Sequence, residues 1–220
     1  MKKILAPVLA LAAFAVASEA RAAGGGWGLH SGDTVRSGDN MVYGEFGWPD
    51  VGLGIQHGMS DRVDLGFRLG IIYGGDYTTG TEVGMDMRVP IRVSLTKGGK
   101  MSAYFHIDPG VKFNRFSPVL FGMEVPVGLE VGVHLTPEAT LQFGFDIPFN
   151  VNFTNFTYAA IPILFGFGFD YKVDDHISLG VNVRLGPDIR TGGTCAGNFC
   201  ATGSAVDLGL ITQAGFAYRL

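Results

Sequence analysis

The sequence predicts an all-β protein built from long antiparallel strands, and three observations lead to that fold class. Glycine and phenylalanine are abundant, with 34 and 17 of 220 residues, and beyond residue 22 no stretch repeats with the period of about 3.6 that marks an amphipathic helix. Short polar turns recur about 38 residues apart. Between the turns, apolar residues alternate with polar residues or glycine, as in strands that have one apolar face.

The alternating runs are long. Every odd position from Val119 to Leu135 is apolar, and 140–151 and the last sixteen residues follow similar patterns. Strands of soluble β-sandwiches usually have about five or six residues, so runs of this length are better explained by strands that cross a membrane. The runs predict strands near 62–74, 80–96, 101–114, 118–135, 139–151, 157–173, 176–186 and 205–220.

The connections between these strands alternate in length. The short ones are Ser60–Arg62, Lys97–Lys100, Thr136–Glu138 and Asp174–His176. The longer and less regular ones are 74–81, 114–118, 152–157 and 186–204. Short periplasmic turns opposite longer outer loops are typical of membrane barrels. The sequence therefore predicts a transmembrane antiparallel up-and-down β-barrel.

The segment before residue 60 must supply two further strands, because single-chain barrels usually close with an even number. One interpretation makes 40–59 a single bulged strand that follows a strand near 25–33. The other makes Trp48-Pro49-Asp50 an outer turn. We favour the bulged strand, because the order of glycine, proline and turn residues in 43–61 resembles that in 121–138. Both interpretations give ten strands.

Prolines occur within the predicted strands, where each removes one donor from the ladder. They lie roughly 8–13 residues above a short turn, and a tilted strand needs about 9–11 residues to cross the bilayer. We therefore expect them to form bulges near the outer rim. They are Pro49, Pro90, Pro109, Pro126, Pro148 and Pro162.

The end of the chain carries a recognisable pattern. Its last residues read polar-x-Gly-x-x-apolar-x-apolar at Gln213, Gly215, Tyr218 and Leu220. This pattern resembles the final-strand signature of bacterial outer-membrane β-barrel proteins. The resemblance is at the level of the superfamily and indicates no particular family, substrate or catalytic residue. It implies outer-membrane lipid and the periplasmic and outer-membrane barrel-assembly machinery as partners; the sequence indicates no protein partner beyond these.

The first 22 residues have the features of a secretory signal peptide. Lys2 and Lys3 precede an apolar run from Ile4 to Ala17, and Ala20-Arg21-Ala22 offers a small-residue cleavage site. We expect cleavage after Ala22, which leaves 23–220 as a single barrel domain in the outer membrane. The whole chain has a net charge of −4 and no cluster of basic residues, so nucleic acid is not expected as a partner.

Charged residues on the inward phase of the strands are the candidate functional residues. They are Arg68, Arg88, Arg92, His106, Asp108, Glu124, Glu130 and Asp146. In one interpretation they are ion pairs that fill a narrow lumen. In the other, basic and acidic arcs form a constriction that selects solutes. The sequence predicts a narrow pore for small polar solutes, and the alternative is a closed structural or loop-displaying barrel.

Enzymatic chemistry is less well indicated. Glu130 with His134, or His106 with Asp108, could form an acid–base pair. Proteases of the omptin type use Asp and His groups at the outer mouth of a barrel, whereas the predicted outer loops here contain no histidine. No nucleophile motif, metal-spaced His/Cys set or phosphate loop is present. We predict no enzymatic activity, no cofactor and no metal site.

Two cysteines, Cys195 and Cys200, lie in the segment 186–204. An even pair of cysteines in an exported protein predicts a disulfide. We expect this bond to stiffen the tip of an outer loop.

Overall fold

A computed structural model describes residues 27–74, 83–96, 99–116, 119–153, 157–196 and 199–220. Thirteen strand segments are found in these residues, and no helix among them is long and apolar enough to span a bilayer. The segments are β1 Asn40–Trp48, β2 Asp50–Gly58, β3 Val63–Ile72, β4 Gly84–Arg88, β5 Ile91–Thr96, β6 Met101–Ile107, β7 Gly110–Phe116, β8 Val119–His134, β9 Ala139–Phe153, β10 Thr157–Pro162, β11 Leu164–Lys172, β12 Ile177–Ala196 and β13 Phe199–Arg219.

The segments form a closed antiparallel barrel. Each strand pairs with its neighbours in the chain, and β13 closes the ring by pairing with β1 from Met41–Arg219 to Trp48–Thr212. Three pairs of segments, β4 with β5, β6 with β7 and β10 with β11, each form one interrupted barrel strand with shared neighbours. The described chain thus makes ten barrel strands, which confirms the predicted fold class.

The alternation along each strand decides which face meets lipid. On β8, Phe121, Met123 and Leu129 are exposed on the outside, whereas Glu124 and Glu130 are buried inside. The same division holds on β3 between Phe67 and Arg68. Apolar side chains thus cover the outer wall, and polar side chains are collected in the lumen.

Prolines interrupt the strands but leave their carbonyl groups paired. The break between β4 and β5 falls at Pro90 and that between β6 and β7 at Pro109, while β10 ends at Pro162. The carbonyl oxygens of Pro90 and Pro109 accept N–H groups from adjacent strands at 2.7 and 2.9 Å. Apolar residues such as Phe121 and Phe153 lie further out and are exposed. Five of the six prolines therefore lie within the apolar belt and not at the outer rim, where we had expected them. Pro49 is the exception, because it lies in the turn between β1 and β2.

The N-terminal part of the barrel follows the alternative that we did not favour. β1 and β2 form a hairpin in which Phe46 pairs with Val51, so Trp48-Pro49-Asp50 is an outer turn. The predictions of one bulged strand over 40–59 and of a strand near 25–33 are wrong. Residues 27–39 contain no strand; 27–35 lie inside the barrel and 36–38 are exposed, while 25 and 26 fall outside the described residues.

The segment 186–204, predicted to be a loop, is instead an extension of two strands. β12 and β13 stay paired from Ile177–Tyr218 up to Ala196–Phe199. Their backbone register places Cys195 opposite Cys200, but the side chains of both lie outside the described residues. The disulfide therefore remains a prediction.

Candidate functional site

The lumen contains a segment of the chain itself, residues 27–39, which we call the plug. Polar contacts attach it to several strands of the wall. The N–H groups of His30 and Val35 donate to the carboxylates of Asp170 and Asp64 at 2.9 and 2.8 Å. Ser102 Oγ donates to the carbonyl oxygen of Ser31 at 3.0 Å. The plug therefore crosses the lumen near the short turns, in the half expected to face the periplasm.

Apolar contacts join the plug to the seam where the barrel closes. Trp27, Leu29 and Val35 form a buried cluster with three wall residues, Met41 and Tyr43 on β1 and Ala217 on β13. The guanidinium of Arg219, also on β13, lies 5.3 Å from the centre of the Trp27 ring. This cluster is a small hydrophobic core inside an otherwise polar lumen.

Glycines in the wall make room for the plug. A Cβ atom at Gly132 of β8 would overlap the carbonyl oxygen of Ser31, and one at Gly58 of β2 would overlap that of Arg36. Gly38 and Asp39 at the end of the plug also exchange backbone hydrogen bonds with Gly58, at 2.8 and 3.0 Å. Wall and plug backbones therefore pack directly against each other at these two positions.

A second anchor of the plug involves His134. Its Nε2 lies 3.1 Å from Ser102 Oγ and 3.4 Å from Asp33 Oδ2, and its Nδ1 lies 2.9 Å from Thr140 Oγ1. The serine is fully buried and already donates to the plug backbone. The geometry thus explains why the plug is held here and leaves no room for a substrate beside the serine.

Above the plug, arginines and carboxylates from several strands form a charge network. Arg68 donates Nε to Glu45 at 3.2 Å, Nη1 to Asp86 at 2.8 Å and Nη2 to Asp50 at 2.6 Å. Arg88 pairs with Asp86 at 2.6 Å and with Glu124. Charges buried in this way are tolerated only when they are paired.

Arg92 links the network to the plug. Its Nε donates to Asp64 Oδ1 at 2.9 Å, and its guanidinium lies over the ring of Tyr104 at 5.3 Å. Asp64 also accepts the N–H of Val35 in the plug and the amide of Gln56 at 2.6 Å. Asp64 therefore joins the plug to the wall at a fully buried position.

The opposite wall carries a second group of charges. His106 contacts Asp146 through Nε2 at 2.8 Å and Asp108 through Nδ1 at 3.2 Å, while Arg184 contacts both Glu130 and Asp146. Ligand atoms of His106, Glu130 and Asp146 lie within 4.8 Å of one another, close enough to share a cation. Arg184 already supplies a positive charge to both carboxylates, so this cluster is explained without a metal.

The structure changes the interpretation of the predicted lumen residues. All eight residues belong to the wall and have their side chains on its lumen side. Acidic and basic residues alternate around the lumen and are not separated into two arcs. The sequence analysis missed several partners: Glu45, Asp50, Asp64, Asp86 and Arg184. For Asp64, Asp86 and Arg184 a signal existed, because each shares the inward phase of a predicted strand.

A cavity of about 130 Å³ remains between the plug and the outer mouth. His30 of the plug, Arg68, Arg92, Asp108 and Arg184 line it, together with Tyr43 and Tyr104. The cavity thus has charged side chains, tyrosine rings and apolar residues such as Ile211 in its wall, and the plug lies below it.

The residues of the predicted terminal pattern all lie on or next to β13. Gln213 faces the lumen, where its amide donates to Asp50 at 3.4 Å, and Gly215 leaves space for Leu29 of the plug. Tyr218 is exposed on the outer wall beside the ring of His176, and Leu220 is exposed at the end of the chain.

Comparisons with known proteins agree with this architecture. One solved structure that is similar to this chain is the outer membrane protease OmpT from Escherichia coli, with a TM-score of 0.46 and 8% identity over 83% of this chain and 93% of that chain. The chain has the fold of an outer-membrane β-barrel. No protein-family model and no curated protein sequence matches it. This fold indicates an outer-membrane location, and cleavage of the leader remains a prediction.

The comparison also corrects one expectation. The sequence analysis predicts that the chain is not an enzyme. This prediction is wrong in excluding enzymes, because a barrel that is similar to this one is a protease. The likeness concerns the fold alone and assigns no activity to any residue of this chain.

Proposed function

We propose that the protein is a narrow outer-membrane pore for small polar solutes whose lumen is held closed by the plug. The observation that carries the proposal is the position of the plug inside the barrel, below a cavity that has charged side chains in its wall. A wall that needed no gate could fill its own lumen with side chains. Here the filling is done by a separate segment of chain.

The contacts of the plug support a removable closure. They include hydrogen bonds to wall carboxylates and hydroxyls, such as Val35 N to Asp64 and Ser102 to Ser31 O. Water and solutes can replace such partners when the plug moves. The apolar part is small and confined to one cluster near the β1–β13 seam.

The closed structural barrel is the second candidate. The charge network favours it, because Arg68 uses all three of its guanidinium nitrogens on carboxylates of the wall. An arginine paired in this way stabilises a filled lumen and offers little to a passing ion. We keep outer-membrane lipid and the barrel-assembly machinery as proposed partners in both cases.

Conductance of the purified barrel in planar lipid bilayers tests the proposal. We expect the native protein to be closed most of the time and Gly132→Ala, whose methyl group would push Ser31 away from β8, to raise the open fraction at least tenfold. Deleting 27–37 should give a permanently open barrel. Gly203→Ala is the matched control, since nothing lies within 4 Å of its added Cβ.

The two candidates differ in a clear way. If the plug-deleted barrel keeps its heat-dependent gel mobility, and is therefore folded, yet conducts no more than bare lipid, the pore proposal fails. The closed barrel then becomes the better description.

A further inference from the structure

The cavity above the plug contains two charged side chains of opposite sign that are not fully partnered. Arg92 is more than nine-tenths buried and uses Nε on Asp64, but its Nη2 has no hydrogen-bond partner among the described residues. Asp108 contacts His106 through Oδ2, and its Oδ1 likewise has none. Both side chains line the cavity.

The ladder places these two side chains next to each other. Arg92 on β5 is the register partner of His106 on β6, and Asp108 lies two residues after His106, one residue beyond the end of β6. Diagonal neighbours on one face of a sheet are about 7–8 Å apart. A small molecule with a negative and a positive group can fit between such a pair.

The surroundings favour a molecule that carries both charges. An anion bound at Arg92 alone would lie near the carboxylate of Asp108, and a cation bound at Asp108 alone would lie near the guanidinium of Arg92. In either case two like charges would face each other in a buried site, which is unfavourable. A zwitterion satisfies both groups at once.

The size of the cavity limits the ligand. Its volume of about 130 Å³ is enough for several water molecules, since one water needs about 10–15 Å³ on this measure. Molecules as small as glycine and alanine fit in this volume. The rings of Tyr43 and Tyr104 line the same cavity and would pack against the short aliphatic part.

We infer that the lumen contains a binding site for small zwitterions of the amino-acid type, with the carboxylate on Arg92 and the ammonium group on Asp108. The inference names the solute class of the proposed pore and in that sense rests on the proposed function. It concerns equilibrium binding, which can be measured without conductance.

Binding to the full barrel in detergent micelles tests the site, by saturation-transfer NMR or calorimetry with glycine, acetate and methylammonium as probes. Glycine should bind at least tenfold more tightly than either singly charged probe. Arg92→Lys keeps a positive charge beside Asp64 and removes the spare donor, and Asp108→Asn keeps the shape of its side chain. Each should weaken glycine binding at least tenfold, and Asp108→Asn should leave acetate binding no weaker.

Asp207→Asn is the control, because Asp207 is an exposed residue far along β13 and does not line the cavity. Heat-dependent mobility verifies that each variant is folded. Equal affinity for glycine and acetate, or no saturable glycine signal in the native barrel, would overturn the inference. If a plug-deleted barrel binds glycine but does not conduct, the binding site is supported and only the pore proposal fails.

Discussion

The two halves of the lumen are filled by different means. Near the short turns, the plug contributes backbone groups and a small apolar cluster around Trp27 and Leu29. Toward the outer mouth, the wall itself contributes charged side chains, and a cavity remains. In the proposed pore, closure would therefore depend on the plug, whereas contact with a solute would depend on the strands of the wall.

Breaking the link between the two halves should have the largest effect. Asp64→Asn removes the negative charge that serves both Arg92 and the plug. Losing one partner of a buried ion pair costs about 3–5 kcal/mol, so the midpoint of urea unfolding in micelles should fall markedly. The exposed Asp207→Asn should change the same midpoint little. Equal midpoints for the two variants would show that the contacts of Asp64 with Arg92 and the plug do not stabilise the folded barrel.

A change confined to the plug half should be milder. In Gly58→Ala the added methyl group would meet the carbonyl oxygen of Arg36. The side chain of Arg36 is exposed. We expect trypsin to cut after Arg36 several-fold faster, while the barrel keeps its heat-dependent mobility. Gly203→Ala should be cut at the native rate. An unchanged rate for Gly58→Ala would mean that the plug is not held by this contact.

A change at the far outer end should affect neither half. If Cys195 and Cys200 are bonded, their short ring contributes on the order of 2–3 kcal/mol before strain, and it lies beyond the point where β13 pairs with β1. Cys195→Ser with Cys200→Ser should therefore leave insertion, plug cleavage and glycine binding intact and make only the end of the β12–β13 hairpin more sensitive to protease. Failure of the double variant to assemble would contradict this separation.

The smallest effect is expected at a short turn outside the membrane. Asp174 Oδ1 accepts the N–H groups of His176 and Ile177, each at 2.7 Å, and these bonds hold the pKa of its carboxyl below the ordinary 3.8. Because the folded-state pKa is lowered, the stabilising contribution is complete above 3.8 and is lost as the pH falls through the lowered value. The protection factors of the His176 and Ile177 amides against hydrogen exchange should fall over that range.

The matched change at this turn is Asp174→Ala, which should abolish the pH dependence of the protection of those two amides against hydrogen exchange. Asp175→Ala, one residue further along the exposed turn, should preserve it. The reverse result would show that Asp175, and not Asp174, accepts these hydrogen bonds.

The barrel could be predicted because its rule is local. A strand between lipid and lumen must alternate, and the turns at 60–62, 97–100, 136–138 and 174–176 mark where each alternation reverses. The β1–β2 turn was misjudged because a proline after Trp48 fits both a bulge and a turn, and only pairing with β13 distinguishes them. The length of β12 and β13 was missed because their outer halves are rich in glycine and threonine.

The plug could not be predicted from local pattern. Residues 27–39 have no period, and their partners are spread over the chain, from Asp64 and Ser102 to Asp170 and Ala217. Such contacts exist only after the barrel has closed around the segment. The charge network is intermediate, because the inward phase reveals which side chains enter the lumen but not which of them pair.

The position of the plug against the β1–β13 seam bears on how the barrel assembles. The long β12–β13 hairpin can form from neighbouring residues, whereas the ladder from Met41–Arg219 to Trp48–Thr212 joins the two ends of the chain and has a high cost in loop-closure entropy. Trp27 and Leu29 contact both sides of that ladder. The plug therefore bridges the two strands that close the barrel, so closure of the barrel and insertion of the plug are expected to occur in one step of biogenesis.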